Sequence, residues 1–136
     1  MSETYRLEIP SDPREIMLVE KFLEGINDKL HLDEMKFNKL LVATTEAVNN
    51  GIIHGNKRDR AKKVLLRVVV NSRMLTVKVK DEGTGVDIAA IPDPLAEENL
   101  MRENGRGVFL IRSLMSSVDF EKCDDGWEVT MKLELD

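Results

Sequence analysis

From Tyr5 to Ile9 apolar and charged residues alternate, the two-residue period of a strand with one buried face, and Pro10 closes the run. Ser11, Asp12 and Pro13 then supply a capping residue and a proline near the first helical position. Ile16, Val19, Phe22, Leu23, Ile26 and Leu30 recur at helical spacing, which predicts an amphipathic helix from about Pro13 to Leu30. Asp33 is placed to cap a second helix. Phe37, Leu40, Leu41, Val48 and Ile52 carry its period, and Gly55 with Asn56 gives a stop signal.

After a basic turn the period changes to that of strands, over Val64 to Val70 and Met74 to Lys80, joined by the short connection Asn71, Ser72 and Arg73. A stretch from Glu82 to Asn104 contains Gly and Pro and interrupts regular structure at a length that suits a lid. A buried helix is expected from Gly107 to about Met115. Two last strands follow, Val118 to Lys122 and Trp127 to Leu135, with the Asp125–Gly126 step suited to the positive backbone angles of a tight hairpin. The expected fold is α+β, a two-layer sandwich in which three helices cover one face of a largely antiparallel, mixed sheet.

Composition narrows the function classes. The 136 residues are the usual size of one domain, so a single unit spanning 1–136 is expected, and large two-lobed kinases are excluded. Twenty basic against twenty-five acidic residues leave a net charge of −5, which argues against direct nucleic-acid binding. With 4% aromatics, stacking platforms for single strands are scarce. Cys123 is the only cysteine and cannot form an internal disulfide, and His31 and His54 give no zinc-ligand spacing. The polar, acidic N-terminus is unlike a signal peptide and no apolar run approaches a membrane span, so a soluble cytoplasmic protein without membrane association is expected.

Three clusters carry candidate chemistry. In EAVNNGIIHGN, Glu46 and Asn50 are one helical turn apart and share a face, with His54 a further turn along. An amide oxygen suits Mg²⁺ that also carries phosphates and water, and a carboxylate beside it can accept a proton from an attacking hydroxyl. Asn49, one residue off that face, is a weaker candidate. In DEGTG, Asp81 stands at a strand end, where it can accept a hydrogen bond from the exocyclic amine of adenine, and Gly83 and Gly85 allow close backbone approach. In NGRGVFLIRSLM, Gly105 and Gly107 precede an apolar helix whose first N–H groups, with Arg106, can hold phosphate oxygens. Each cluster alone also has a plain reading: a solvated helix face, an ordinary turn, a glycine helix entry. Neither a dinucleotide fingerprint nor a GxxxxGK[ST] loop is present.

In this order the clusters resemble the GHKL ATPase/kinase superfamily with its Bergerat nucleotide fold, and within it the small bacterial anti-sigma-factor serine kinases of the RsbW and SpoIIAB type. The resemblance runs from about Pro13 to the end, and EAVNNGIIHGN and GRGVFLIRSLMSSVDF are its most specific phrases. It implies ATP and Mg²⁺ as cofactors, Glu46 as general base, Asn50 as Mg²⁺ ligand and Asp81 with Gly83 and Gly85 as adenine reader. It also implies that Gly105, Arg106 and Gly107 line the phosphates below a lid over 86–104, with Val108 and Phe109 starting the helix behind them. One departure stands out. The family often has Gly-Thr at the start of the last strand, whereas this chain has Gly126 and Trp127, with the nearest hydroxyl at Thr130. Two readings stay open, that Thr130 substitutes for it or that nucleotide binding is weaker than the other motifs imply.

The implied activity is phosphorylation of a STAS-type anti-anti-sigma protein, with a sigma factor as second partner. Homodimerisation through the exposed face is a family-based expectation. Two other readings stay open: a nucleotide-gated binding module without kinase activity, and a switch kinase whose target is not a sigma factor. Lys57, Arg58, Arg60, Lys62 and Lys63 read as a solvated basic turn before a strand, Cys123 as an ordinary strand residue and Trp127 as packing. For His54, contact with phosphate, a role in catalysis and a structural hydrogen bond near the helix end all remain open.

Overall fold

The computed structural model describes residues 2–83 and 103–135, of which 103–106 are described by their backbone alone. The chain runs β1 (Glu3–Pro10), a 3₁₀ turn (Pro13–Glu15), α1 (Ile16–Leu30), α2 (Glu34–Asn50), a π turn (Gly51–Gly55), β2 (Lys63–Val70), β3 (Met74–Asp81), α3 (Glu103–Leu114), β4 (Ser117–Cys123) and β5 (Gly126–Glu134). The strands form one sheet in the order β1-β2-β3-β5-β4, and every pairing among them is antiparallel.

Alternation along each strand sends one set of side chains to the helices. Val64, Leu66, Val68 and Val70 of β2, Leu75, Val77 and Val79 of β3, and Val129, Met131 and Leu133 of β5 are all buried. They meet Val19, Leu23 and Ile26 of α1, Leu40, Ala43, Ala47 and Val48 of α2, and Ile111 of α3 in one aliphatic core. The expected sandwich is thus present, with the three α-helices of the described residues on one face. No helix among the described residues is long and apolar enough to cross a membrane.

The caps agree with the sequence. The Asp12 side chain accepts from Arg14 N at 2.9 Å, and that of Asp33 accepts from Lys36 N at 2.7 Å, each satisfying an N–H that the first turn leaves free. His31 closes α1 in the left-handed region at φ 53°, while the Asn27 side chain accepts from Leu32 N. Asn71 accepts from the N–H groups of Arg73 and Met74 and shapes the β2–β3 turn.

Two expectations need correction. Helix α3 starts at Glu103, so Gly105 and Gly107 lie inside it and do not precede it. Of the expected lid, 103 and 104 are helical, and 86–102 lie outside the described residues, as does Gly85. In the last hairpin Cys123 pairs with Gly126, so the turn residues are Asp124 and Asp125. Neither takes a positive φ, since among the described non-glycine residues only His31, Lys57 and Arg58 do so. Gly126 answers a different demand: a Cβ there would fall 1.8 Å from the backbone oxygen of Asp81 on the neighbouring strand.

Candidate functional site

Helix α2 carries Glu46 and Asn50 toward α3. Both are half-buried, and a Cβ placed on Gly107 would stand 3.2 Å from Glu46 Oε2, 3.2 Å from Asn50 Nδ2 and 3.5 Å from Asn50 Oδ1. The first and third clusters therefore meet, with the bare backbone of residue 107 laid against the acid and the amide. Gly105 and Arg106 lie in the first turns of the same helix. Val108 is half-buried, whereas Phe109 is 50% exposed and faces solvent, so the structure does not bring it to Glu46 and Asn50.

The second cluster joins at the C-terminal end of α2. Beyond Asn50 the helix widens into the π turn Gly51–Gly55, whose closing bond runs from Asn56 N to Gly51 O at 2.8 Å. This turn presents two glycines to the end of β3. A Cβ on Gly51 would lie 3.6 Å from Asp81 Cβ, and one on Gly55 would lie 2.4 Å from Asp81 Oδ2. Gly83 closes the cradle. Its N–H donates to Asp81 Oδ1 at 2.8 Å, and a Cβ on it would strike Gly55 O at 2.3 Å. Gly55 has no positive φ, so its value lies in the missing side chain and not in helix-stopping backbone freedom.

Burial in this cradle pushes the Asp81 carboxyl above its ordinary range, opposed by the N–H groups of Gly83 and Trp127 and by the charge of Lys62. The result is a fixed oxygen acceptor with glycine surfaces on three sides, chemistry that suits the amine edge of a flat ring. The backbone of Trp127 pairs with Asp81 across β3 and β5, and its indole Nε1 is buried without a partner among the described residues.

Thr130 is not brought to the site. It alternates with the buried Val129 and Met131 and pairs with Lys78 and Asp119, so it stands on the sheet face turned away from the helices. It cannot substitute for a hydroxyl at position 127. His54 lies half-buried in the π turn and makes no side-chain hydrogen bond among the described residues. Cys123 keeps its plain reading, because burial, with the charge of Glu128, pushes its thiol up.

The donor set fits a magnesium nucleotide, since Asn50 Oδ1 and Glu46 Oε2 are hard oxygens on one face. Mg²⁺ held largely by phosphates and water asks for only one or two protein oxygens.

Comparison with known proteins places the chain in a family. The chain is 26% identical to the serine-protein kinase RsbW of Listeria monocytogenes over 137 aligned positions, covering 96% of this chain and 87% of that protein. It is 27% identical to the anti-sigma F factor of Clostridium perfringens over 96 positions, 68% of this chain and 69% of the other. In three dimensions it is similar to a crystal structure of the RsbU and RsbW domains of a Mycobacterium tuberculosis protein, with a TM-score of 0.71 at 13% identity. That match covers 98% of this chain and 32% of the other, which makes it a likeness of fold. Residues 9–133 match the family described as the histidine kinase-like ATPase domain, and the chain belongs to that family, the GHKL group.

Proposed function

We propose that the protein is an ATP-dependent serine/threonine protein kinase acting on a small STAS-type anti-anti-sigma protein, and that it binds a sigma factor when that antagonist is phosphorylated. The observation that carries this reading is the meeting of Glu46 and Asn50 beneath Gly107, while Asp81 sits in its glycine cradle at the end of the same helical run. Names of relatives, serine-protein kinase and anti-sigma factor, point the same way.

In this mechanism Asp81 accepts from the exocyclic amine of adenine, and Gly83 lets the ring approach. Asn50 Oδ1 would hold Mg²⁺, which when bound neutralises phosphate charge. The Glu46 carboxylate takes the proton of the substrate hydroxyl as its oxygen attacks the γ-phosphoryl group in line, and ADP leaves. Gly107 allows the reacting groups to approach Glu46 without a side chain between them, and Arg106 is assigned to phosphate charge by its residue type. Incubation with labelled ATP and a panel of STAS-domain proteins tests the reading. Label on a serine or threonine of one of them supports it, and ATP binding without transfer to any of them contradicts it.

One observation favours a second reading, a nucleotide-gated binding module that sequesters its partner without phosphorylating it. Trp127 occupies the position where the family often has a hydroxyl, and Thr130 lies on the opposite sheet face. ATP-dependent capture of a sigma factor by a protein that transfers no label would establish that reading.

A further inference from the structure

Asn56 is 1% exposed, and all of its polar groups are engaged. Its Nδ2 donates to Ser11 Oγ at 2.7 Å and to Lys63 O at 3.0 Å, and its Oδ1 accepts from Glu82 N at 2.8 Å. Its own N–H closes the π turn on Gly51 O, and its C=O accepts from Asp59 N. The amide orientation follows from these partners, since a flipped side chain would set NH₂ against the Glu82 N–H.

These bonds tie the end of the π turn to Ser11 and Glu82, both distant in sequence, and to Lys63 seven residues on. Ser11 is fully buried, and both its N–H and its hydroxyl donate to Lys62 O, at 3.1 and 2.8 Å. Asp12 beside it pairs with Arg60, so the loop from Lys57 to Lys62 is held at Arg60 and at Lys62, while Lys57 and Arg58 occupy the left-handed region. The other end of the Asn56 side chain reaches Glu82. That residue lies between Asp81, the acceptor in the cradle, and Gly83, whose N–H orients the carboxylate. Gly83 in turn rests on the carbonyl of Gly55, the neighbour of Asn56.

We propose that Asn56 is a positioning residue for base selectivity. By holding the backbone of Glu82 it fixes the direction in which the Asp81 carboxylate points, and it registers the adenine-reading loop against the helical run that carries Glu46 and Asn50. The inference rests on the assignment of Asp81 to adenine made above. It separates from a role in folding alone, because a fold keystone affects how much protein is folded and leaves the base preference of the folded molecules unchanged.

The test compares ATP with inosine triphosphate, which carries a carbonyl where adenine has its amine, by direct titration of the purified full chain with Mg²⁺, the folded fraction being set by a thermal melt. Wild type is expected to prefer ATP. Asn56→Ala, which loses the acceptor for Glu82, should reduce that preference about fivefold or more, the size expected for one lost buried hydrogen bond. Asn56→Asp keeps an oxygen for Glu82 N–H while spoiling the bonds to Ser11 and Lys63, so it should melt lower yet keep the preference. Where Asn56→Ala does not fold, Glu82→Pro removes the same bond from the donor side and should lose the preference likewise. A wild-type protein that does not distinguish the two nucleotides overturns the Asp81 assignment itself. A wild-type preference that survives intact in Asn56→Ala or Glu82→Pro overturns the role of Asn56 alone.

Discussion

Gly55 backs directly onto the carboxylate of Asp81: a Cβ on residue 55 would lie 2.4 Å from Oδ2, 2.5 Å from Cγ and 2.9 Å from Oδ1. The acid has little freedom to retreat, being tied to Gly83 N and paired through its backbone with Trp127. Gly55→Ala should therefore destabilise the fold by about 1–3 kcal/mol, the usual cost of overpacking. It should also weaken ATP binding by about tenfold, equivalent to ~1.4 kcal/mol, because the acceptor is pushed off its line. Denaturant unfolding and nucleotide titration read the two effects separately.

Gly107→Ala should behave differently. An alanine gains about 0.5–1 kcal/mol over glycine inside a helix, so the melting temperature should hold or rise. Its Cβ would nonetheless stand 3.2 Å from both Glu46 Oε2 and Asn50 Nδ2, displacing the two groups by a few tenths of an ångström. Phosphotransfer should fall by about tenfold or more, since small misplacements of reacting groups are costly. A single-turnover assay beside a melt checks the pair of outcomes.

Asp81→Asn sets stability against function. Burial raises the carboxyl of Asp81 in the folded state, so its protonated form is favoured there and the charged form is penalised. Its contribution to stability is full below the unfolded value near 4 and is lost as pH rises through the folded value. The neutral variant should accordingly be more stable than wild type at pH 7, with the advantage fading toward about pH 4. It should bind ATP more weakly at pH 7. Urea midpoints at the two pH values test the sign.

Asp12→Asn should give the opposite slope. Hydrogen bonds from the side chain and backbone of Arg14, and then from Arg60, hold the Asp12 carboxyl well below the usual carboxylate range. That stabilisation is present above the unfolded value near 4 and is lost as pH falls toward the folded one. The variant should be less stable than wild type at pH 7, and the difference should narrow below about pH 4. The same urea series, carried into acid, measures it.

The contrast between these sites reflects what a linear pattern can carry. Among the described residues, periodicity placed the five strands and three α-helices because burying one face dictates spacing, and Asp12 and Asp33 cap as their positions predict. The π turn was not legible, since GIIHG continues a helical run and the extra residue per turn has no side-chain signature. Gly55 reads as a helix stop, while its actual constraint comes from Asp81, across a strand pair. Asn56 reads as the second half of the same stop, and its partners at Ser11, Lys63 and Glu82 are gathered only by the fold.

Two errors had a signal within reach. Val129, Met131 and Leu133 mark the inner face of β5, so the even-numbered Thr130 had to point outward. In NGRG the glycines resemble a helix entry, yet a helix tolerates glycine wherever another group must come close, and Glu46 with Asn50 is that group.

In the proposed mechanism Glu46 performs chemistry while other groups hold the nucleotide. The most direct measurement compares Glu46→Ala with wild type, both for ATP affinity by titration and for transfer of labelled phosphate to a STAS-domain protein that wild type phosphorylates. ATP binding within about twofold of wild type, together with loss of transfer by at least about a hundredfold, is the predicted result. An unchanged rate of transfer would remove Glu46 from that role and contradict the account.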